Sequence, residues 1–107
     1  MKLASEKGIY AAVWPRARKS VEPIGFAKRL ETLQGKTIGI LWDWIFRGNE
    51  IFPMIEKELT EQYPGLKFVG YEVFGSTHGG EEAETLAALP DKLRKNNCDA
   101  VISGLGC

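Results

Sequence analysis

Cysteine and histidine are scarce in this chain: Cys98 and Cys107 are its only thiols and His78 its only imidazole, among 107 residues. Two cysteines do not make a disulfide framework. So few nitrogen and sulfur ligands do not make a structural zinc site either, and no metal or other cofactor is identified. Both thiols are expected to be free, in a reducing, cytoplasmic setting. Net charge is absent as well, with 14 basic residues against 14 acidic ones. A nucleic-acid binder needs a basic surplus to displace counterions from phosphate, so no nucleic-acid partner is expected. The one local excess, Arg16, Arg18 and Lys19, reads as a solvated arm. Long apolar runs are missing too: nothing approaches the roughly 20 residues that span a bilayer. Glu6, Lys7 and Gly8 stand where a signal peptide would carry its apolar segment. No membrane partner is expected.

What is present suits one small globular domain. The apolar share of 44% is enough for a modest core. Residues 1–35 read as an irregular N-terminal arm punctuated by Pro15, Pro23, Gly25 and Gly35. Phe26, Leu30 and Leu33 fall at helical spacing and predict a short helical turn within it. The arm is expected to pack on the domain or on a neighbouring subunit, which makes a homo-oligomer an expectation.

From Lys36 to Cys107 the pattern sharpens into an α/β domain. Thr37 to Trp42 is a continuous apolar run, the mark of a strand covered on both faces. Ile51, Phe52, Ile55, Leu59 and Tyr63 then recur at helical spacing. Asn49 is the expected N-cap, Pro53 falls near the first turn, and Pro64-Gly65 ends the helix. Leu66 to Phe74 predicts a second strand, with Phe68, Val69, Tyr71 and Val73 as its apolar members. Glu81 to Asn97 predicts a second helix, with Leu86, Leu89 and Leu93 on one face and Pro90 expected to kink or split it. Asp99 to Ser103 is the third strand. The order β-α-β-α-β with short connections means a parallel sheet with right-handed crossovers, simplest in the order 2-1-3. This is half of a Rossmann-like or flavodoxin-like three-layer sheet.

In open α/β sheets ligands bind beyond the carboxyl ends of the strands. Three segments fall there: Asp43 to Asn49, Gly75 to Gly80, and Gly104 to Cys107. Asp43 suits orienting a substrate or holding a metal, and equally suits capping its turn. Ser76, Thr77 and His78 offer two hydroxyls and an imidazole at the start of the second helix, where a carboxylate or other anion would be held. His78 is the candidate general base, or the cation that makes a nearby thiolate. Gly104 and Gly106 mimic the start of a dinucleotide fingerprint, but the fingerprint belongs after the first strand, so they read as a tight turn or a close backbone approach to substrate. Cys98 packs as a small apolar residue. Cys107, on the functional edge, is the candidate nucleophile.

The segments "LQGKTIGILWD", "FRGNEIFPMIEKELTEQYPGLKFVGYEVFGSTHG" and "CDAVISGLGC" resemble the front half of the UGSC family of selenoproteins and their cysteine counterparts. The likeness spans about residues 33 to 107. The family's pattern continues the third strand through a G-x-G-x turn into selenocysteine-Gly-Ser-Cys or Cys-Gly-Ser-Cys. In that register Ser103-Gly104-Leu105-Gly106 matches the turn and Cys107 precedes the motif. The resemblance therefore implies a selenocysteine at the next position, encoded by a UGA that ordinary translation reads as stop. It implies a truncated chain whose full form does selenol or thiol redox or nucleophilic chemistry on a small-molecule or thiol substrate. Two other readings stay open. One is a cysteine-dependent racemase or isomerase half-domain with Cys107 as the base; the other is a small non-catalytic domain that binds or dimerises.

Overall fold

The computed structural model describes residues 2–5, 8–12 and 22–106. The α/β body begins where Lys36 donates its amide to the Leu33 carbonyl. Strand β3 (Thr37–Trp42) follows, the third in the chain because two strands precede it. Those two, β1 (Lys2–Ser5) and β2 (Gly8–Ala11), form an antiparallel hairpin with Lys2 opposite Ala11. The sequence reading has no hairpin there, since four-residue strands are too short for a period of two to declare itself. Nor does the helical turn expected over Phe26–Leu33 form: residues 22–30 carry no secondary structure. A two-turn helix is marginal without a surface to pack on, and Ile24 and Phe26 touch almost nothing.

Beyond β3 come helix α1 (Gly48–Gln62), strand β4 (Lys67–Val69), helix α2 (Glu82–Lys95) and strand β5 (Ala100–Gly104). The sheet is parallel and ordered β4-β3-β5, the expected 2-1-3 arrangement. Alternation along β3 builds the two outer layers. Ile38, Ile40 and Trp42 join Phe52 of α1 and Leu66 in the core, with Ile55, Leu59 and Tyr63 packed against them. On the other face Gly39 leaves no room for a side chain: a methyl group there would lie 3.1 Å from Phe74 and 3.3 Å from both Leu93 and Cys98. Phe74 and Ile40 are wholly buried, one on each side of the sheet. At its amino end β3 is locked by Asp99, whose carboxylate accepts the Thr37 amide at 2.9 Å.

Several boundaries differ from the sequence reading. Helix α1 starts one residue before Asn49, with Arg47 as N-cap and no side chain capping it. Gly48 takes the first helical position because the Trp42 indole occupies the space a side chain would need, 2.7 Å from the point a β-carbon would reach. Pro53 therefore falls at the sixth helical position, in the second turn. The second strand does not run from Leu66 to Phe74. It leaves the sheet after Val69, makes a 3-10 turn over Tyr71–Val73, and bridges β3 again through Ser76 and Trp42. Helix α2 is not split at Pro90 but runs through it. Of the leucine face expected on α2, Leu93 reaches the sheet while Leu86 stays half-exposed.

Candidate functional site

The carboxyl edge of the sheet is organised around Asp43. Its backbone continues the ladder, donating to the Gly104 carbonyl at 3.3 Å. Its side chain is 4% exposed, so a carboxylate has been taken out of water, which is tolerated only when the oxygens are hydrogen-bonded. Oδ1 accepts the Ile45 amide at 3.1 Å, and Oδ2 accepts the Gly106 amide at 2.6 Å. The first bond closes the turn leaving β3; the second reaches across to the turn leaving β5. Asp43 is thus a clasp between two loops. Both of its oxygens are engaged by backbone donors.

The β4–α2 loop joins the same knot. The Ser76 hydroxyl lies 3.4 Å from the Asp43 carbonyl and 2.8 Å from the His78 carbonyl, and it accepts the His78 amide at 3.2 Å. A hydroxyl has one proton to give, so the shorter contact to His78 holds it. The Thr77 amide donates to the Trp42 carbonyl at 3.3 Å, while the Thr77 hydroxyl oxygen is buried without a partner. His78 itself is exposed. Among the sequence-predicted residues, Asp43, Gly104 and Gly106 are therefore joined by direct hydrogen bonds, while Ser76 lies beside Asp43 and bonds His78 on its own loop. Thr77 and His78 flank them on one loop. Cys107, the candidate nucleophile, lies outside the described residues.

Close packing fixes the turn after β5. A methyl group on Gly104 would sit 2.6 Å from Phe52 and 2.7 Å from Phe46. One on Gly106 would meet Phe46 and Ile45 at 3.2 and 3.3 Å. The glycines admit Phe46 of the β3–α1 loop and Phe52 of α1 against the backbone, a close approach that a side chain would block.

What the sequence reading missed is the aromatic group beside this knot. Trp42 and Trp44 stack with ring centres 4.5 Å apart, and the Tyr71 ring stands edge-on to both at 4.8 and 5.1 Å. Phe46 and Phe52 complete the set, each edge-on to Trp42. Trp44 holds φ at +64°, a left-handed conformation that is a genuine outlier for so bulky a residue. Stacking on Trp42 compensates by keeping one face of Trp44 out of water. The Trp42 Nε1–H finds no acceptor. The signal was available in "WDWIF", where aromatic residues recur at every second position from Trp42.

Among the described residues, two titratable groups are shifted. Burial, and then the neighbouring Asp99 charge, push the Cys98 thiol above its ordinary value, so this cysteine is a packing residue and a poor nucleophile. Burial, followed by repulsion from Glu72, raises the Glu56 carboxyl. Among the described residues no group of three or more histidine, cysteine or acidic side chains is placed to hold a metal ion, and no helix is long and apolar enough to cross a membrane.

No curated protein and no solved structure matches this chain. A family model, that of the UGSC family, matches residues 11–107, nearly the whole chain and all of the α/β body. The segments that carry the resemblance are the ones that build β3, α1, the β4–α2 loop and the turn after β5. The chain belongs to the UGSC family.

Proposed function

We propose that the intact protein carries out selenol or thiol chemistry, redox or nucleophilic, at the carboxyl edge of its sheet. In this reading the present chain is its N-terminal part, translated up to an in-frame UGA. The observation that carries it is the Asp43 clasp on Gly106. A buried carboxylate fixes the backbone one residue before Cys107, and in the family's pattern the reactive residue comes next. A chalcogen just past a fixed strand-end turn meets loop amides that stabilise its anion. In a U/C-x-x-C pair the first chalcogenolate attacks a substrate disulfide and expels a thiolate; the second then attacks the mixed species and expels the substrate's remaining half.

Ser76, Thr77 and His78 supply polar groups beside that turn in this reading. Exposed Val101, on a strand paired on one side only, and Leu105 in the turn after it are consistent with further protein covering that flank. The substrate class is a small molecule or thiol.

The test begins with the codon that follows Cys107 and the intact mass of the protein from its native source. An in-frame UGA followed by Gly-Ser-Cys codons, with a longer selenium-bearing product, supports the proposal. A UAA or UAG codon with a native mass near 11.9 kDa overturns it. In the longer form, His78→Ala reports on the imidazole. Unchanged alkylation of the reactive chalcogen across neutral pH would remove His78 from the mechanism.

A further inference from the structure

The segment leading into the α/β body carries two large apolar side chains that the chain itself leaves uncovered. Ile24 and Phe26 are almost fully exposed, and residues 22–30 make neither helix nor sheet. Single exposed apolar residues are ordinary; two bulky ones, two apart on one unstructured segment, mark a contact without its partner. When such a segment lies extended, alternate residues share an edge, so Ile24, Phe26 and Lys28 form one row.

A row of matching chemistry runs down the outer flank of α1. Ile51, Met54, Glu58 and Glu61 follow one another at three- and four-residue spacing, which places them on one stripe of the helix. All four are exposed, Met54 to 70%, while Phe52, Ile55 and Leu59 turn to the sheet. The order is the same in both rows: apolar, apolar, charged. The spacing agrees as well. Phe26 to Lys28 covers about 7 Å of extended chain, and Met54 to Glu58 covers about 6 Å of helix. The charges are opposite. Residues 12–31 hold five basic side chains against two acidic ones, whereas α1 holds Glu50, Glu56, Glu58 and Glu61 against Lys57 alone.

We propose that residues 24–28 form an exchange arm that lies along the Ile51–Glu61 flank of α1 in a second copy of this chain. Ile24 and Phe26 cover Ile51 and Met54, and Lys28 meets Glu58 and Glu61. A second copy is the occupant because the single chain leaves both apolar side chains in solvent, and the basic segment meets its charge complement on the acidic α1 of an identical chain. The exchange is reciprocal about a twofold axis, so each dimer contains two such contacts.

The experiment is sedimentation equilibrium across about 5–500 μM protein, a range that brackets a modest association. The expected mass climbs from the 11.9 kDa of one chain to twice that value. Phe26→Ala and Met54→Ala each weaken association at least about tenfold, as loss of a buried anchor does. Lys28→Glu and Glu58→Lys each weaken it about fivefold, and combining them recovers most of the loss. All four positions are exposed in the single chain, so unchanged far-ultraviolet circular dichroism separates lost association from lost folding. A chain that stays monomeric at the highest concentration overturns the proposal. So does a dimer indifferent to Phe26→Ala and Lys28→Glu, which would place the contact at a sheet edge. Coupling between Lys28 and Glu58 in a monomer overturns it too, by putting the arm on its own helix.

Discussion

At the scale of the residue, the weight falls on Asp43. Its carboxylate is buried, and each oxygen holds one backbone amide, from Ile45 and from Gly106. Asp43→Asn keeps the shape but offers one accepting oxygen and turns an NH₂ toward the other donor. One amide is then buried without a partner, which costs about 1–3 kcal/mol. Urea unfolding reads that loss, and amide hydrogen exchange locates it; an unchanged exchange rate at Gly106 would refute the clasp. Glu56 gives a prediction in pH. Burial and then Glu72 raise its folded pKa above the ordinary 4.5, so the folded state holds this proton more tightly than the unfolded chain does. The stability this gives is full below pH 4.5 and is lost as pH rises through the raised value. Glu56→Gln is therefore expected to match the parent in acid and exceed it at neutral pH, read as the midpoint of urea unfolding across that range. Equal midpoints at neutral pH would remove the strain assigned to this carboxyl. Asp43 was legible as a candidate from its place at a strand end, but its role was not. Only the fold brings Gly106 to it from 63 positions away.

At the scale of the element, the parallel order and both helices were legible because each follows from a local pattern: a continuous apolar run for β3, helical spacing for α1. The second strand was not. Phe68, Val69, Tyr71 and Val73 read as one strand, yet the chain leaves the sheet at Gly70 because Tyr71 is drawn into the stack of Trp42, Trp44 and Phe52. That is a tertiary preference overriding a local one. Helix α2 gives the element-scale prediction. Pro90 is its ninth residue, so its ring displaces a helical hydrogen bond to the Leu86 carbonyl. Pro90→Ala is expected to restore that bond and raise stability by about 1–3 kcal/mol, seen as a higher thermal midpoint. A lower midpoint would mean that Pro90 contributes more by stiffening the unfolded chain than it costs in the helix.

At the scale of the whole molecule, burial is uneven. Among the described residues, every buried apolar one lies between Ile38 and Phe74, and the described part of the arm before Leu33 contributes none. The dependence of unfolding free energy on urea follows the surface newly exposed, not the chain length. This chain is therefore expected to unfold with the slope of its α/β body alone. Removing residues 1–32 retains Leu33, the first residue packed against the core, and should leave both slope and midpoint unchanged. The comparison belongs at about 1 μM, where a modest association is dissociated and only intrachain burial is read. A steeper slope for the longer chain would show that the arm buries surface on its own domain. It would then be an integral part of that domain's fold rather than a surface held out for another molecule.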